Sequence, residues 1–373
     1  MHKITFYPIG NADCCKIDLD NGRKLIFDYA HTIVSEDKDD KRINLAKTLK
    51  EELDKDKCAK IDVLGFTHAD SDHISGASDF FYFDYAKIYQ EGERIKFKEL
   101  WVPAAFIIEK NLSGDAMIIQ KEAKYRLKEG YGIKVFSVPD ALKDWLEENG
   151  LTEKDRKKFI VHAGNIVSGF DLKTDQVEFF AHCPFSISIE GKKVDRNNSS
   201  LVLHVLFEYS SEQTRFMLIG DIDYDILEDI VKVTKSKNNE ERLKWDIYDI
   251  PHHCSYKGLS GDKGEHKTIP AANVKWLLNQ GECGGIFVAC CDKITNTDSE
   301  QPPHYQAKSC YKDYSDKISG KFIVTMEHPS SVAPQKLEIE IDDCKARVKK
   351  INSTGGKSNI INNPSPRAGT KNE

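Results

Sequence analysis

Six residues, His68-Ala69-Asp70-Ser71-Asp72-His73, carry two imidazoles and two carboxylates. They follow the apolar run Ile61-Asp62-Val63-Leu64-Gly65-Phe66, which reads as a buried strand. A loop leaving a strand can fan alternate side chains toward one point, and imidazole nitrogen with carboxylate oxygen is the donor mixture that suits zinc, manganese or iron. A hydrated polar turn would account for any one of these residues alone. Four candidate ligands within six residues after an apolar strand point instead to a metal site.

The same arrangement recurs along the chain. The strand Gln176-Val177-Glu178-Phe179-Phe180 delivers His182, and Arg215-Phe216-Met217-Leu218-Ile219 stops at Gly220-Asp221, where a carboxylate bridging two cations would be placed. Asp246-Ile247-Tyr248-Asp249-Ile250 ends in Pro251-His252-His253-Cys254-Ser255. Neighbouring histidines cannot both point the same way off an extended backbone, so one binds metal and the other meets substrate or an outer shell; the residue types leave the order open. Asp28 ends its own strand and either orients the site or caps the strand end. His304, in the loop after the strand Gly285 to Cys290, is either an acid near a leaving group or a loop-surface histidine.

The elements that must position these residues are legible in outline. The chain opens as an antiparallel meander of Ile4-Thr5-Phe6-Tyr7, the loop Gly10-Asn11-Ala12-Asp13, a strand around Ile17, the dipeptide Asn21-Gly22 and Lys24-Leu25-Ile26-Phe27-Asp28. Asn21-Gly22 predicts a two-residue hairpin turn. Leu45, Leu49 and Leu53 at helical spacing predict a surface helix, and Ile74 to Ala77 a helix start. Helical patterns at 116–129 and 141–148, with recurring lysine and arginine at Lys121, Lys124, Arg126, Lys128, Lys154, Arg156, Lys157 and Lys158, read as a helical insertion at about 110–165 over one edge of the site. Further strands are expected at 100–103, 201–207 (His204 structural), 322–326, 337–341 and 347–351, and helices at 224–235 and 271–278; from Asn352 to Glu373 the composition predicts a disordered tail after a single domain over 1–351.

Composition narrows the classes. At 39% hydrophobic the 373 residues can bury a sizeable core, and 54 Lys plus Arg against 60 Asp plus Glu give a formal charge of -6, so nothing global advertises a polyanion partner. Met1 to Pro8 lacks the apolar core of a signal peptide and no apolar run reaches membrane-spanning length, so a cytoplasmic protein without membrane partners is expected. The 10 cysteines include Cys14-Cys15 and Cys290-Cys291 but no C-x-x-C pair, and read as reduced buried thiols.

Taken in order, the ligand-bearing loops resemble the metallo-β-lactamase superfamily, and most closely the hydrolase domain of ComEC-type DNA-uptake proteins. The likeness lies in His-x-Asp-x-Asp-His at 68–73, with Asp70 where many relatives have a second histidine, the 10–13 loop, the Asn197-Asn198-Ser199 turn, Gly220-Asp221 and Pro251-His252-His253-Cys254-Ser255. Cys254 stands where that subfamily usually has glycine, and Ala12 interrupts its Gly-x-Gly-Asp pattern. The resemblance implies an αββα four-layer sandwich, of α/β class, carrying two divalent ions, zinc or manganese. It assigns one ion to His68, Asp70, His182 and Asp221 and the other to Asp72, His73, Asp221 and His252. Asp72 and His253 with His304 become the catalytic candidates, and Asp28, Asn198 and Ser255 the residues around substrate or behind the ligands. The activity implied is hydrolysis through a metal-bridging hydroxide, foremost as a phosphodiesterase or nuclease on DNA or RNA. A hydrolase of a small ester, lactone or phosphodiester is the alternative, a catalytically silent metal-stabilised module with a protein partner a further one.

Overall fold

Along each central strand, alternate side chains enter different cores, which is how a period of two builds layers. In Glu212–Ile219, Phe216 and Leu218 face one apolar core while Met217 and Ile219 face another. Within Gly281–Ala289, Ile286 and Val288 part from Phe287 and Ala289 in the same way. The structure, a computed structural model, describes residues 1–32, 39–186 and 195–351.

Two sheets result. The first has nine strands in the order β15-β14-β1-β2-β3-β4-β5-β6-β7: β1 His2–Phe6, β2 Cys15–Asp18, β3 Lys24–Phe27, β4 Lys60–Gly65, β5 Lys96–Pro103, β6 Ile133–Phe136, β7 Ile160–Val161, β14 Leu337–Asp342 and β15 Lys345–Val348. The second has six, β13-β12-β11-β10-β9-β8: β8 Val177–Cys183, β9 Val202–Tyr209, β10 Glu212–Ile219, β11 Trp245–Asp249, β12 Gly281–Ala289 and β13 Lys321–Val324. Pairing is parallel from β3 to β7 and from β10 to β13, antiparallel elsewhere.

One core lies between the sheets, where Phe6, Phe27 and Trp101 of the first meet Phe179, Phe207 and Phe216 of the second. Outside the first sheet pack α1 Leu45–Lys55, α2 Ser71–Ile74, α3 Ala77–Phe80, α4 Ala104–Ile108, α5 Gly114–Glu129, α6 Asp140–Glu148 and α7 Glu153–Arg156. Outside the second pack α8 Tyr224–Ser236, α9 Ala272–Leu278 and α10 Tyr305–Lys317. The layering is helix, sheet, sheet, helix, the αββα sandwich expected from the motifs.

Several local expectations are refined. The hairpin between β2 and β3 turns through three residues, because Leu19 N–H still pairs with the Arg23 carbonyl and Gly22, at φ +86, closes a turn onto the Leu19 carbonyl. The 110–165 segment carries α5, α6 and α7 but also β6 and β7, which extend the first sheet in parallel register. The helix expected from Ile74 starts inside the ligand motif instead, at Ser71, with Asp70 as its N-cap. The tail from Asn352 lies outside the described residues. Among the described residues no helix is long and apolar enough to cross a membrane.

Candidate metal centre

Strands β1, β3 and β4 run the same way, so the loops after them leave one edge of the first sheet, and those after β10, β11 and β12 leave one edge of the second. Asp13, Asp28 and the 68–73 motif come from the first set, Asp221, His253 and Cys290 from the second. Ligand atoms of Asp13, His73, Asp221 and His253 all lie within 4.8 Å of one another, and those of His68, Asp72 and His73 do likewise. Nε2 of His73 stands 3.3 Å from Asp221 Oδ1 and 3.5 Å from Asp13 Oδ2. His253 Nε2 is 3.1 Å from Asp72 Oδ2 and 3.4 Å from Asp221 Oδ2.

The backbone brings these groups together through close approach. A Cβ on Gly220 would fall 2.8 Å from Thr67 Cβ and 2.9 Å from Ser200 Cβ, so only glycine lets the β10 loop lie against the β4 loop and present Asp221 to it. Asp28, itself at φ 57, accepts from Thr67 N–H at 2.7 Å, Thr67 Oγ1 at 2.7 Å and His73 Nδ1 at 2.9 Å. Two more imidazoles are oriented in the same manner. His253 Nδ1 donates to the Cys290 carbonyl at 2.9 Å, and His68 Nδ1 lies 3.1 Å from Thr67 Oγ1, whose proton goes to Asp28. With each Nδ1 anchored to an acceptor, Nε2 is the nitrogen turned toward the carboxylates, and loss of its proton would leave there the lone pair that a metal ligand requires.

Two observations test whether these residues fit a cation. The Nε2 of His73, on a side chain 0% exposed, meets the carboxylates of Asp221 and Asp13, and that of His68 is buried without a hydrogen-bond partner on a side chain 2% exposed. A buried imidazole nitrogen left so is costly unless something else satisfies it. The charge balance says the same. Burial alone would neutralise His73, yet Asp221 and Asp28 outweigh it and push its pKa well up; His253 is raised to about 10, with Asp221 the strongest influence against burial. Asp221 is held well below the usual carboxylate range, His253 and His73 overcoming its burial, and Asp72 is held at about 2 mainly through its bond to His253, also against burial. Protons on histidines thus balance crowded carboxylates, and a divalent ion would replace them. His68, by contrast, is lowered to about 4 by burial and by His73, and Asp13 is raised to about 6 by burial.

The structure does not gather every residue expected. His182 faces outward from the second sheet because Phe179 and Ala181 take the inner face, and the register shift between Ala181 and Cys183 sits at this residue. Its Nε2 donates to the Arg242 carbonyl at 2.9 Å and its ring packs on Phe180. Asp70 turns to Arg196 Nη1 at 2.6 Å, its other oxygen 3.7 Å from His68 Nε2. Of the adjacent histidines, His253 joins the cluster whereas His252 points at Asp223, 3.5 Å away; three consecutive left-handed residues, 252 to 254, set this order. His304 donates its backbone N–H to the Cys254 carbonyl, and its ring lies 5.0 Å from that of Tyr256, both ring nitrogens buried without partners. Asn198 Nδ2 donates to Asp195 within its own turn, and Ser255 Oγ accepts from Lys257 N–H. Asp28 takes the orienting position behind His73 described above.

Two participants went unmarked in the sequence reading. Asp13 obeys the same rule as the others, a carboxylate on the loop after a strand, and its loop was already visible. Asp249, the last residue of β11, is buried and its pKa is pushed well up by that burial and by Asp13, Asp28 and Asp221; nothing in its spacing separates it from a strand-end aspartate.

No protein-family model matches the chain, and no curated protein matches it. Among solved structures, unliganded yeast PDE1 is similar at 12% identity over 87% of this chain and 97% of that one, TM-score 0.42. Zinc-bound PqqB from Methylobacterium extorquens aligns at 8% identity over 90% and 99%, TM-score 0.35, and a subclass B3 metallo-β-lactamase of Bradyrhizobium japonicum at 14% over 84% and 93%, TM-score 0.31. Likenesses of this extent assign no activity to the chain.

Proposed function

We propose that the protein is a metal-dependent hydrolase whose leading substrate class is the phosphodiester of a nucleic acid. The observation that carries the metal is the set of anchored imidazoles whose Nε2 atoms, buried in His68 and His73, gather with Asp13, Asp72 and Asp221 at the sheet edge. His73, His253, Asp13, Asp72 and Asp221 would hold the cation, with Asp28 and the Cys290 carbonyl fixing the two imidazoles. A divalent ion so held would polarise a phosphoryl oxygen and lower the pKa of a water beside it. Oxygen and nitrogen donors with three carboxylates make the site hard, compatible with manganese as well as zinc. The two-ion arrangement implied by the motifs is supported unequally, since the second position would rest on His68 with an Asp70 already engaged by Arg196.

Support for a polyanionic substrate comes from a cavity of about 720 Å³ lined by Lys154, Lys157, Lys158 and His162, with Glu153 as its one carboxylate among the described residues. Lys154, Lys157 and Lys158 precede the two-residue β7 and His162 follows it, so of this patch His162 stands toward the edge that carries the ligand loops, three strands or roughly 14 Å from β4. The test is hydrolysis of a chromogenic phosphodiester by metal-stripped protein reloaded with manganese or zinc, beside Asp221→Ala, followed by labelled DNA and RNA. Turnover that requires metal and disappears in the variant, with nucleic-acid affinity falling steeply as salt rises, is expected. Turnover confined to small esters or lactones would select the alternative substrate class, and metal binding without turnover on any class would select the silent module.

A further inference from the structure

We infer that this centre holds one cation tightly, and that Arg196 supplies, as a fixed charge, the neutralisation that a second cation would bring; the inference rests on the metal-dependent reading above. The first position is complete. Asp13, His73, Asp221 and His253 share one point, and Asp72 Oδ2 lies 3.1 Å from His253 Nε2. Both imidazoles are anchored from behind by acceptors within 2.9 Å.

The second position is not. Of the side chains the motifs assign to it, His182 is on the outer face of the second sheet with its Nε2 already donated to the Arg242 carbonyl. Asp70 accepts from Arg196 Nη1 at 2.6 Å, and the guanidinium cannot turn away freely. Its Nε lies 2.9 and 3.0 Å from the two oxygens of Glu109, and its Nη2 donates to Glu109 at 2.7 Å. That two-point clamp fixes the fork geometry in which Arg196 faces Asp70. What remains for a cation is His68 Nε2 with the other Asp70 oxygen, and among the described residues no third ligand atom gathers with that pair. His68 does group with Asp72 and His73, but these belong to the first position, so an ion there would compete with the first. A carboxylate shared between a guanidinium and a dication is a weakened ligand, and the two cations repel each other across it.

Arg196 is also accessible. It lines, with Asp70 and Asp72, a cavity of about 540 Å³ that reaches the start of α5, and its side chain is 34% exposed, so its replacement should leave the fold intact.

The experiment loads the full chain with manganese by equilibrium dialysis, counts metal per chain by elemental analysis, and records the paramagnetic resonance spectrum. Wild type is expected to retain one ion per chain with an uncoupled six-line spectrum. Arg196→Gln frees Asp70, and a second ion should then bind at least about tenfold more tightly than in wild type, with spin coupling between the two. Asp70→Asn should keep the tight ion. Two ions of similar affinity and a coupled spectrum in wild type would overturn the inference, as would Arg196→Gln that stays at one ion, or loss of the tight ion in Asp70→Asn. If Arg196→Gln fails to fold, judged by circular dichroism, the wild-type count and Asp70→Asn still decide. Wild type that binds no metal at all would remove the metal-dependent reading together with this one.

Discussion

Replacing Asp28 by asparagine isolates the support behind the metal ligands from the ligands themselves. In wild type the carboxylate accepts three hydrogen bonds, from Thr67 N–H, Thr67 Oγ1 and His73 Nδ1. An asparagine has one acceptor oxygen and a donor NH2 in their place. Set with its oxygen toward Thr67 N–H, it points N–H at His73 Nδ1, which must then give up its proton and move it to Nε2, the atom that would hold the cation. Set the other way, two N–H groups oppose each other at Thr67. Either arrangement leaves one buried polar group unmatched, a cost of about 1–3 kcal/mol, which corresponds to roughly tenfold to a hundredfold weaker metal binding. Competition of the metal-free protein against a chromophoric chelator reads the affinity directly, and circular dichroism confirms the fold. A folded Asp28→Asn that binds metal within twofold of wild type would refute the claim that Asp28 sets the His73 tautomer.

Two further outcomes bear on groups away from the cation. His182→Ala should destabilise the fold by about 2–3 kcal/mol, since it removes packing on Phe180 and leaves the Arg242 carbonyl unpaired, yet metal per chain should not change; a folded variant that loses metal would place His182 in the centre after all. Glu338 is held at about 2, well under its ordinary 4.5, because Lys349, Lys336 and Lys3 outweigh the upward push of burial. A depressed carboxylate stabilises the fold above the unfolded value and ceases to as pH falls from about 4.5 toward 2. With the side chain 13% exposed on the less buried face of β14, Glu338→Gln is expected to cost about 1–2 kcal/mol at pH 7 in urea unfolding, and the gap should shrink below pH 3; an equal gap at both would argue against the ion-pair origin.

What the sequence disclosed follows the reach of its patterns. The apolar runs before Asp28, His68 and Asp221 marked the strands and the ends where polar side chains collect, whereas the parting of Phe216 and Leu218 from Met217 and Ile219 into two cores emerges only in the packed sheets. Asp13 lay open to the same rule. Patterns of period two assume regular pairing, however, and His182 stands where the β8–β9 register shifts, so position near a strand end did not bring it to the site edge. Asp70 had the right spacing, but its partner Arg196 lies 126 residues away, a contact that only the packed loops create. The Cys290 carbonyl that anchors His253 is a backbone atom, and no residue type announces it.

The order of His252 and His253 was beyond the sequence for a different reason. His252, His253 and Cys254 have φ of 52, 49 and 63, a run in which L-residues cost about 1–2 kcal/mol each and which residue preferences would place at glycine. Such a run persists only where the surroundings compensate for it. Here the turn sinks Cys254 fully into the core of the second helical layer, directs the His253 Nδ1–H to the Cys290 carbonyl, and receives the His304 backbone N–H on the Cys254 carbonyl. The strain and the ring orientation are therefore one property of the turn. An unwound 252–254 segment would swing His253 off the line to Asp72 and Asp221, so the geometry of the centre depends on the β12 loop and on His304 as much as on the residues that face the cation.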